Sequence, residues 1–61
     1  MSKNRIFNND LLTVAYWLRV NGPSSRERIE SATGIALTPT IIAQGDYLGL
    51  LRWVDALNAY I

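Results

Sequence analysis

The sequence contains no cysteine and no histidine. Without cysteine the chain cannot form a disulfide, and without either residue it lacks the side chains that hold structural zinc. A catalytic serine would lack its usual base, the five carboxylates follow no metal-binding or acid-base pattern, and no glycine-rich phosphate loop is present. We therefore expect no enzyme, with no catalytic residues, no metal site and no cofactor.

Long apolar runs and excess charge are missing as well. No stretch approaches the roughly 20 apolar residues that cross a bilayer, or the shorter core of a signal peptide. We therefore expect a cytoplasmic protein with no membrane partner, and no small-molecule ligand is evident. Six basic and five acidic residues give a net charge of +1, so the whole molecule attracts a polyanion only weakly.

The chain is instead rich in apolar residues, which make up 49% of it against 18% charged. Its 61 residues suffice for one small domain, residues 1–61, in which we expect 1–7 to be flexible. A domain of this size hides only about 60% of its unfolded surface, so its core must be densely packed or completed by a second subunit. Some of the apolar surplus could cover a subunit interface, which leaves a homodimer open.

The first helix is predicted over residues 9–21. Its apolar residues recur at spacings of three and four, which is typical of one buried helical stripe. These residues are Leu11, Leu12, Val14, Ala15, Trp17 and Leu18. The helix ends at Asn21, because Gly22 can adopt the left-handed conformation and Pro23 cannot continue the helix.

The second helix is predicted to begin at Ser24, which stands three residues before Glu27 in the spacing of a capping box. It runs to Thr33, where Gly34 stops it. Its contribution to the core is small and consists of Ile29, Ala32 and the following Ile35.

The third helix begins at a Thr38 cap followed by Pro39 and runs to about Leu48. Helical spacing divides its residues into two faces. The core face holds Ile41, Ile42, Gly45 and Leu48, and the opposite face holds Thr40, Ala43, Gln44 and Tyr47. Gly45 either permits close helix packing or ends the helix early.

The residues after Leu50 fit two structures. Leu50, Val54, Leu57 and Ile61 have helical spacing, whereas strand-forming residues on both sides of a polar turn at 55–58 fit a hairpin. We favour the hairpin, because Leu48-Gly49 breaks the third helix sharply. The predicted fold class is mainly α: a three-helix helix-turn-helix core with a small C-terminal β-hairpin wing, or a fourth short helix in place of the wing.

A resemblance to a known family runs from Leu18 to Val54, which read LRVNGPSSRERIESATGIALTPTIIAQGDYLGLLRWV. An Asn-Gly-Pro follows the first helix, Ser-Arg-x-x-Ile and Thr-Gly-Ile lie in and after the second, and Leu-Gly-Leu-Leu precedes the hairpin. This pattern resembles the winged helix-turn-helix regulators of bacteria and their phages.

The resemblance implies that the third helix enters the major groove of DNA while the second helix and the wing hold phosphates. The residues that would touch bases are Thr38, Thr40, Gln44 and Tyr47. The residues that would hold phosphates are Arg26, Arg28 and Arg52.

Several of these residues also have a purely structural interpretation. Capping alone explains Ser24 and Thr38, and a solvated helix face explains Arg26 and Arg28 equally well. Core packing is the better interpretation of Trp17 and is also favoured for Trp53.

We expect a small DNA-binding transcriptional regulator that reads duplex DNA as a dimer or with a partner. The alternative is a protein-interaction module on the same scaffold, which modulates a larger complex without binding DNA. Its partner interface would consist of Trp53, Leu57 and Tyr60, together with Tyr47. The alternative stays open because the third helix has no lysine or arginine and contains Asp46, whereas phosphate contacts supply most of the affinity of DNA-binding proteins.

Overall fold

The computed structural model describes residues 9–61, and the segment expected to be flexible, 1–7, lies outside them. Three helices are followed by a short antiparallel hairpin, which confirms the predicted fold class with the wing in place of a fourth helix. The elements are α1 (Asn9–Asn21), α2 (Arg26–Thr33), α3 (Pro39–Leu48), β1 (Trp53–Val54), a 3₁₀ turn (Asp55–Leu57) and β2 (Ala59–Tyr60). No helix within residues 9–61 is long and apolar enough to cross a membrane.

One hydrophobic core joins all three helices to the hairpin. Its buried members are Leu11, Val14, Leu18, Ile29, Leu37, Ile41, Leu51 and Tyr60. The core stripe of α1 is narrower than predicted, because Leu12 is 42% exposed. Ala32 is exposed as well, and Leu48 lies at the rim of the core with 37% of its surface exposed.

The N-cap of α2 is Ser25, so the prediction of Ser24 was wrong. The Ser25 side chain accepts a hydrogen bond from the Arg28 amide at 3.1 Å. Ser24 is buried and bridges to the hairpin: its amide donates to the Tyr60 carbonyl at 3.0 Å, and its carbonyl accepts from the Tyr60 amide at 2.8 Å. Pairing with a distant strand therefore holds Ser24 in extended backbone and moves the helix start by one residue.

The turn between α2 and α3 is closed by a glycine and by a glutamate. Gly34 adopts the left-handed conformation, with φ 73°, and its amide donates to the Glu30 carbonyl at 2.9 Å. The Glu30 carboxylate then reaches across the turn, where its Oε2 accepts a hydrogen bond from the Leu37 amide at 2.6 Å. Because this bond spans seven residues, it fixes where the chain enters α3.

The inner face of α3 packs closely because one of its residues has no side chain. A Cβ built at Gly45 would lie 2.6 Å from the Leu51 Cβ and 3.0 Å from the Leu11 Cδ1. The 2.6 Å distance is shorter than real Cβ contacts, so any side chain at this position would force its neighbours to shift. The close-packing interpretation of Gly45 is confirmed, and α3 ends later, where Gly49 adopts φ 72°.

The hairpin pairs Trp53 with Tyr60 and Val54 with Ala59. Backbone hydrogen bonds between Arg52 and Ile61, at 3.0 and 2.8 Å, extend the ladder beyond the two strands. Since Ser24 bridges to the other side of Tyr60, a segment preceding α2 and the hairpin form one small three-stranded arrangement. This arrangement ties the wing to the start of α2.

Candidate nucleic-acid interface

The outward face of α3 is open to solvent, as predicted. Thr40 and Ala43 are exposed, and Tyr47 is 87% exposed and packs against nothing in the core. Gln44 lies nearer the core and is half-buried. The small side chains of Thr40 and Ala43 let another molecule approach the helix backbone closely, with Tyr47 projecting beside them.

Thr38 lies at the N-terminal end of this face, where it caps α3. Its Oγ1 accepts a hydrogen bond from the Ile41 amide at 3.3 Å, which makes Thr38 the N-cap of α3. Pro39 occupies the first helical position, where its missing amide costs nothing. The hydroxyl oxygen of Thr38 is thus used by the helix, while its hydrogen can still donate to a ligand.

The two arginines predicted to hold phosphates on α2 both have partners within the protein. The Arg26 Nε lies 3.4 Å from the Glu30 Oε2, one helical turn away. The Arg28 guanidinium lies 5.9 Å from the centre of the Trp17 ring, within the range of a cation–π contact. Both side chains are exposed, so these interactions are weak and a phosphate can compete with them.

Arg26 also lines a groove of about 490 Å³ beside the hairpin, which we call the wing groove. Its lining residues are Ser25, Arg26, Glu27, Trp53, Asn58 and Tyr60. The structure thus brings the start of α2 and the wing together at one groove. Glu27 places a negative charge at the same groove.

Arg52 lies elsewhere. It lines a second groove, of about 510 Å³, which shares no residue with the wing groove and which we call the arginine groove. The second basic residue there is Arg19 of α1. Of the three arginines predicted to hold phosphates, Arg26 and Arg52 therefore line different grooves, and Arg28 lines neither.

Comparison of this chain with protein-family models, with curated proteins and with solved structures finds no match. The roles of these side chains therefore have to follow from their contacts, exposure and charge.

The wing presents two of the three residues predicted for a protein partner. Trp53 is 43% exposed, so the favoured core interpretation was wrong. Its Nε1 donates to the Asp55 Oδ1 at 2.6 Å, and its ring lies edge-on against Tyr60 at 4.9 Å between centres. Leu57 is 55% exposed at the tip of the hairpin. Tyr60 is only 9% exposed and belongs to the core, because it points inward from the strand that pairs with Ser24.

Two residues that the sequence did not single out shape these surfaces. Glu30 positions α3 by accepting a hydrogen bond from the Leu37 amide. In the sequence, the one sign of this role is that Glu30 lies one helical turn before Gly34. Arg19 lies in the last turn of α1, where a basic residue is commonly interpreted as a helix-end charge.

Within residues 9–61, no three acidic side chains come together as a metal site.

Proposed function

We propose that the protein binds duplex DNA, with the outward face of α3 in the major groove and the wing groove along the backbone. The observation that carries this proposal is the separation of the two faces of α3. Its inner face holds the helix on the core through Gly45 and Ile41, while Thr40, Ala43 and Tyr47 face outward and are not needed for packing. A helix held in this way on a helix-turn-helix core is the element that enters the major groove.

In this arrangement Thr40 and Gln44 lie where side chains meet base edges. Threonine can donate to a base edge or contact a thymine methyl group, and glutamine can pair with adenine through its amide. Arg26 and Asn58, which both line the wing groove, supply donors for phosphate oxygens. Membership of the winged helix-turn-helix superfamily and a cytoplasmic location are parts of the same proposal.

The charge of the described residues limits the affinity that this surface can reach. Four arginines stand against five carboxylates in residues 9–61, and no basic residue lies on α3. Each phosphate contact releases counterions, so few contacts give weak binding and a shallow salt dependence. A dimer would double the number of contacts, so the proposal includes a homodimer as the DNA-binding form.

Fluorescence anisotropy with a labelled random-sequence duplex, measured over a range of salt concentrations, tests the proposal. We expect the logarithm of the binding constant to fall with the logarithm of the salt concentration with a slope of about −2, as for two or three phosphate contacts. Replacing Arg26 and Arg28 together with alanine should weaken binding to every duplex and flatten this slope. Gln44→Ala should weaken binding only to a selected preferred site.

The matched control is Glu27→Gln, which keeps the fold of α2 and removes the negative charge from the wing groove. It should strengthen DNA binding, since repulsion of the backbone is relieved. If the wild-type chain and this variant both leave the duplex unbound at low salt, the proposal fails.

A second function, a protein-interaction module without DNA binding, is favoured by a different observation. Three large apolar side chains of α3 and the wing, those of Tyr47, Trp53 and Leu57, are exposed to solvent. Aromatic anchors beside few charges are typical of protein interfaces rather than of DNA-binding surfaces. In this case duplex DNA binds negligibly even at low salt, and substitution of Trp53 and Leu57 weakens association with the partner complex.

A further inference from the structure

The arginine groove lies on a different part of the molecule from the proposed DNA contacts, where the ends of α1 and α3 meet the base of the hairpin. Its volume of about 510 Å³ falls in the range of small-ligand pockets. Its apolar lining residues are Ala15, Leu18, Pro23, Leu50, Leu51 and Ile61. Its charged lining residues are Arg19, Asp46 and Arg52.

The floor of this groove is apolar. Leu18 is 5% exposed and Leu51 2% exposed, because both belong to the core. Leu50 is half-buried above them, and Ile61 is 44% exposed at the edge. A ligand with a hydrophobic body can cover the accessible surface of Pro23, Leu50 and Ile61 and gain about 25 cal/mol for each Å² of apolar area removed from water. The sugar-phosphate backbone of a nucleic acid is polar and charged, so it would not obtain this free energy of apolar burial.

The arginines of the groove differ from those of α2. Among residues 9–61 the side chains of Arg19 and Arg52 make no hydrogen bond and no ion pair, whereas Arg26 is paired with Glu30. Asp46 lines the same groove, yet its carboxylate lies in no ion pair with either arginine. Two guanidinium groups with unused donors therefore stand at the edge of an apolar floor.

The remaining electrostatics of the groove decide which anion fits. Both α1 and α3 end beside this groove, which is lined by the glycines that follow them, Gly22 and Gly49, and a helix C-terminus carries partial negative charge. Together with Asp46 these ends repel an anion of high charge. A single carboxylate, small enough to lie at the arginines and away from Asp46, meets less repulsion and keeps both charge-assisted hydrogen bonds.

We propose that the arginine groove binds a small apolar monocarboxylate, an acid with an aliphatic or aromatic body. The carboxylate accepts hydrogen bonds from Arg19 and Arg52, and the body lies on Leu50, Leu51 and Ile61. This proposal is independent of DNA binding, because it uses none of the residues assigned to the DNA surface except Arg52, which the structure places apart from the wing groove.

Titration of the ¹⁵N-labelled chain with 4-phenylbutyrate, followed by NMR, tests the proposal with a defined probe. We expect shifts at the amides of Leu50 and Leu51 and at the side-chain Nε–H groups of Arg19 and Arg52. Arg19→Gln and Arg52→Gln should each weaken binding about fivefold, since each removes one charge-assisted hydrogen bond at an exposed position. Arg28→Gln is the matched control, because it removes an arginine outside the groove, and it should leave binding unchanged.

Two further probes separate the parts of the site. The neutral analogue 4-phenylbutan-1-ol should bind more weakly than the acid, and inorganic phosphate should cause no shifts at Leu50 or Leu51. Equal binding of the acid and the alcohol, stronger binding of phosphate, or no shifts with the acid at millimolar concentration would each overturn the proposal. All three arginines are exposed, so the variants should fold, which the dispersion of their amide spectra checks directly.

Discussion

The two faces of α3 differ in what they do for the molecule. The inner face carries Gly45 and Ile41, packed so closely on Leu51 and Leu11 that one added carbon does not fit. The outer face carries Thr40, Ala43 and Tyr47, which no other part of the described chain needs. One ten-residue helix thus separates stability from recognition, and this separation predicts a distinct response to substitution on each face.

A similar difference separates the four described arginines. Those on α2 are partnered by Glu30 and by the Trp17 ring, while Arg19 and Arg52 have no such partner among residues 9–61. Arginine content alone therefore does not locate a binding surface. The contacts made within the folded chain decide which guanidinium groups remain for a ligand.

The largest effect is expected on the inner face, from Gly45→Ala. Alanine is the better helix former by up to about 1 kcal/mol, yet its Cβ collides with the Leu51 Cβ. Overpacking of this kind costs about 1–3 kcal/mol, so we expect a net loss of about 1–2 kcal/mol in the free energy of unfolding. Urea denaturation followed by tryptophan fluorescence measures this loss.

The control for this substitution is its reverse on the outer face, Ala43→Gly. Ala43 is exposed, so only helix propensity is lost there, at a cost of up to about 1 kcal/mol. Alanine should thus be the stabilising residue at position 43 and the destabilising one at position 45. A more stable Gly45→Ala variant would show that the two faces do not differ as described.

An intermediate effect is expected in the turn that leads into α3, from Glu30→Ala. This change leaves the partly buried Leu37 amide without its acceptor, which costs about 1 kcal/mol. Hydrogen exchange at the Leu37 amide should accelerate more than exchange in α1. Glu30→Gln, which retains an oxygen acceptor, should lose less, and Glu27→Ala on the same helix should have little effect on stability. Equal losses for Glu27→Ala and Glu30→Ala would argue against the positioning role of Glu30.

Much of the fold was predictable because its signals are local. The bounds of α1, the stop at Gly34, the Thr38-Pro39 start and the turn of the hairpin each depend on residues within four positions of one another. Helical spacing likewise predicts the buried positions of Ile41 and Gly45 and the exposed positions of Thr40, Ala43 and Tyr47, although it misplaces the exposed Leu48 and the half-buried Gln44. Apart from those two residues, these are the features that the structure confirms.

The features that were not predictable depend on contacts between distant parts of the chain. Ser24 and Ser25 are adjacent and chemically identical, and pairing with Tyr60 decides which of them caps α2. The same pairing turns Tyr60 into the core and removes it from the predicted partner surface. Likewise, Arg26 and Arg52 line different grooves because of where the hairpin folds back, which no local pattern records.

The smallest effect on stability, and the clearest one on recognition, is expected on the outer face from Tyr47→Ala. Because the Tyr47 side chain is 87% exposed, its removal should change the free energy of unfolding by less than about 0.5 kcal/mol. If this face contacts DNA, affinity for a duplex should fall about fivefold, the loss of one contact of about 1 kcal/mol. Tyr16→Ala, which removes a similarly exposed tyrosine from α1, should leave both quantities unchanged. Equal losses of DNA affinity in the two variants would mean that DNA does not contact α3. The difference between the two faces of α3 would then affect only the stability of the fold.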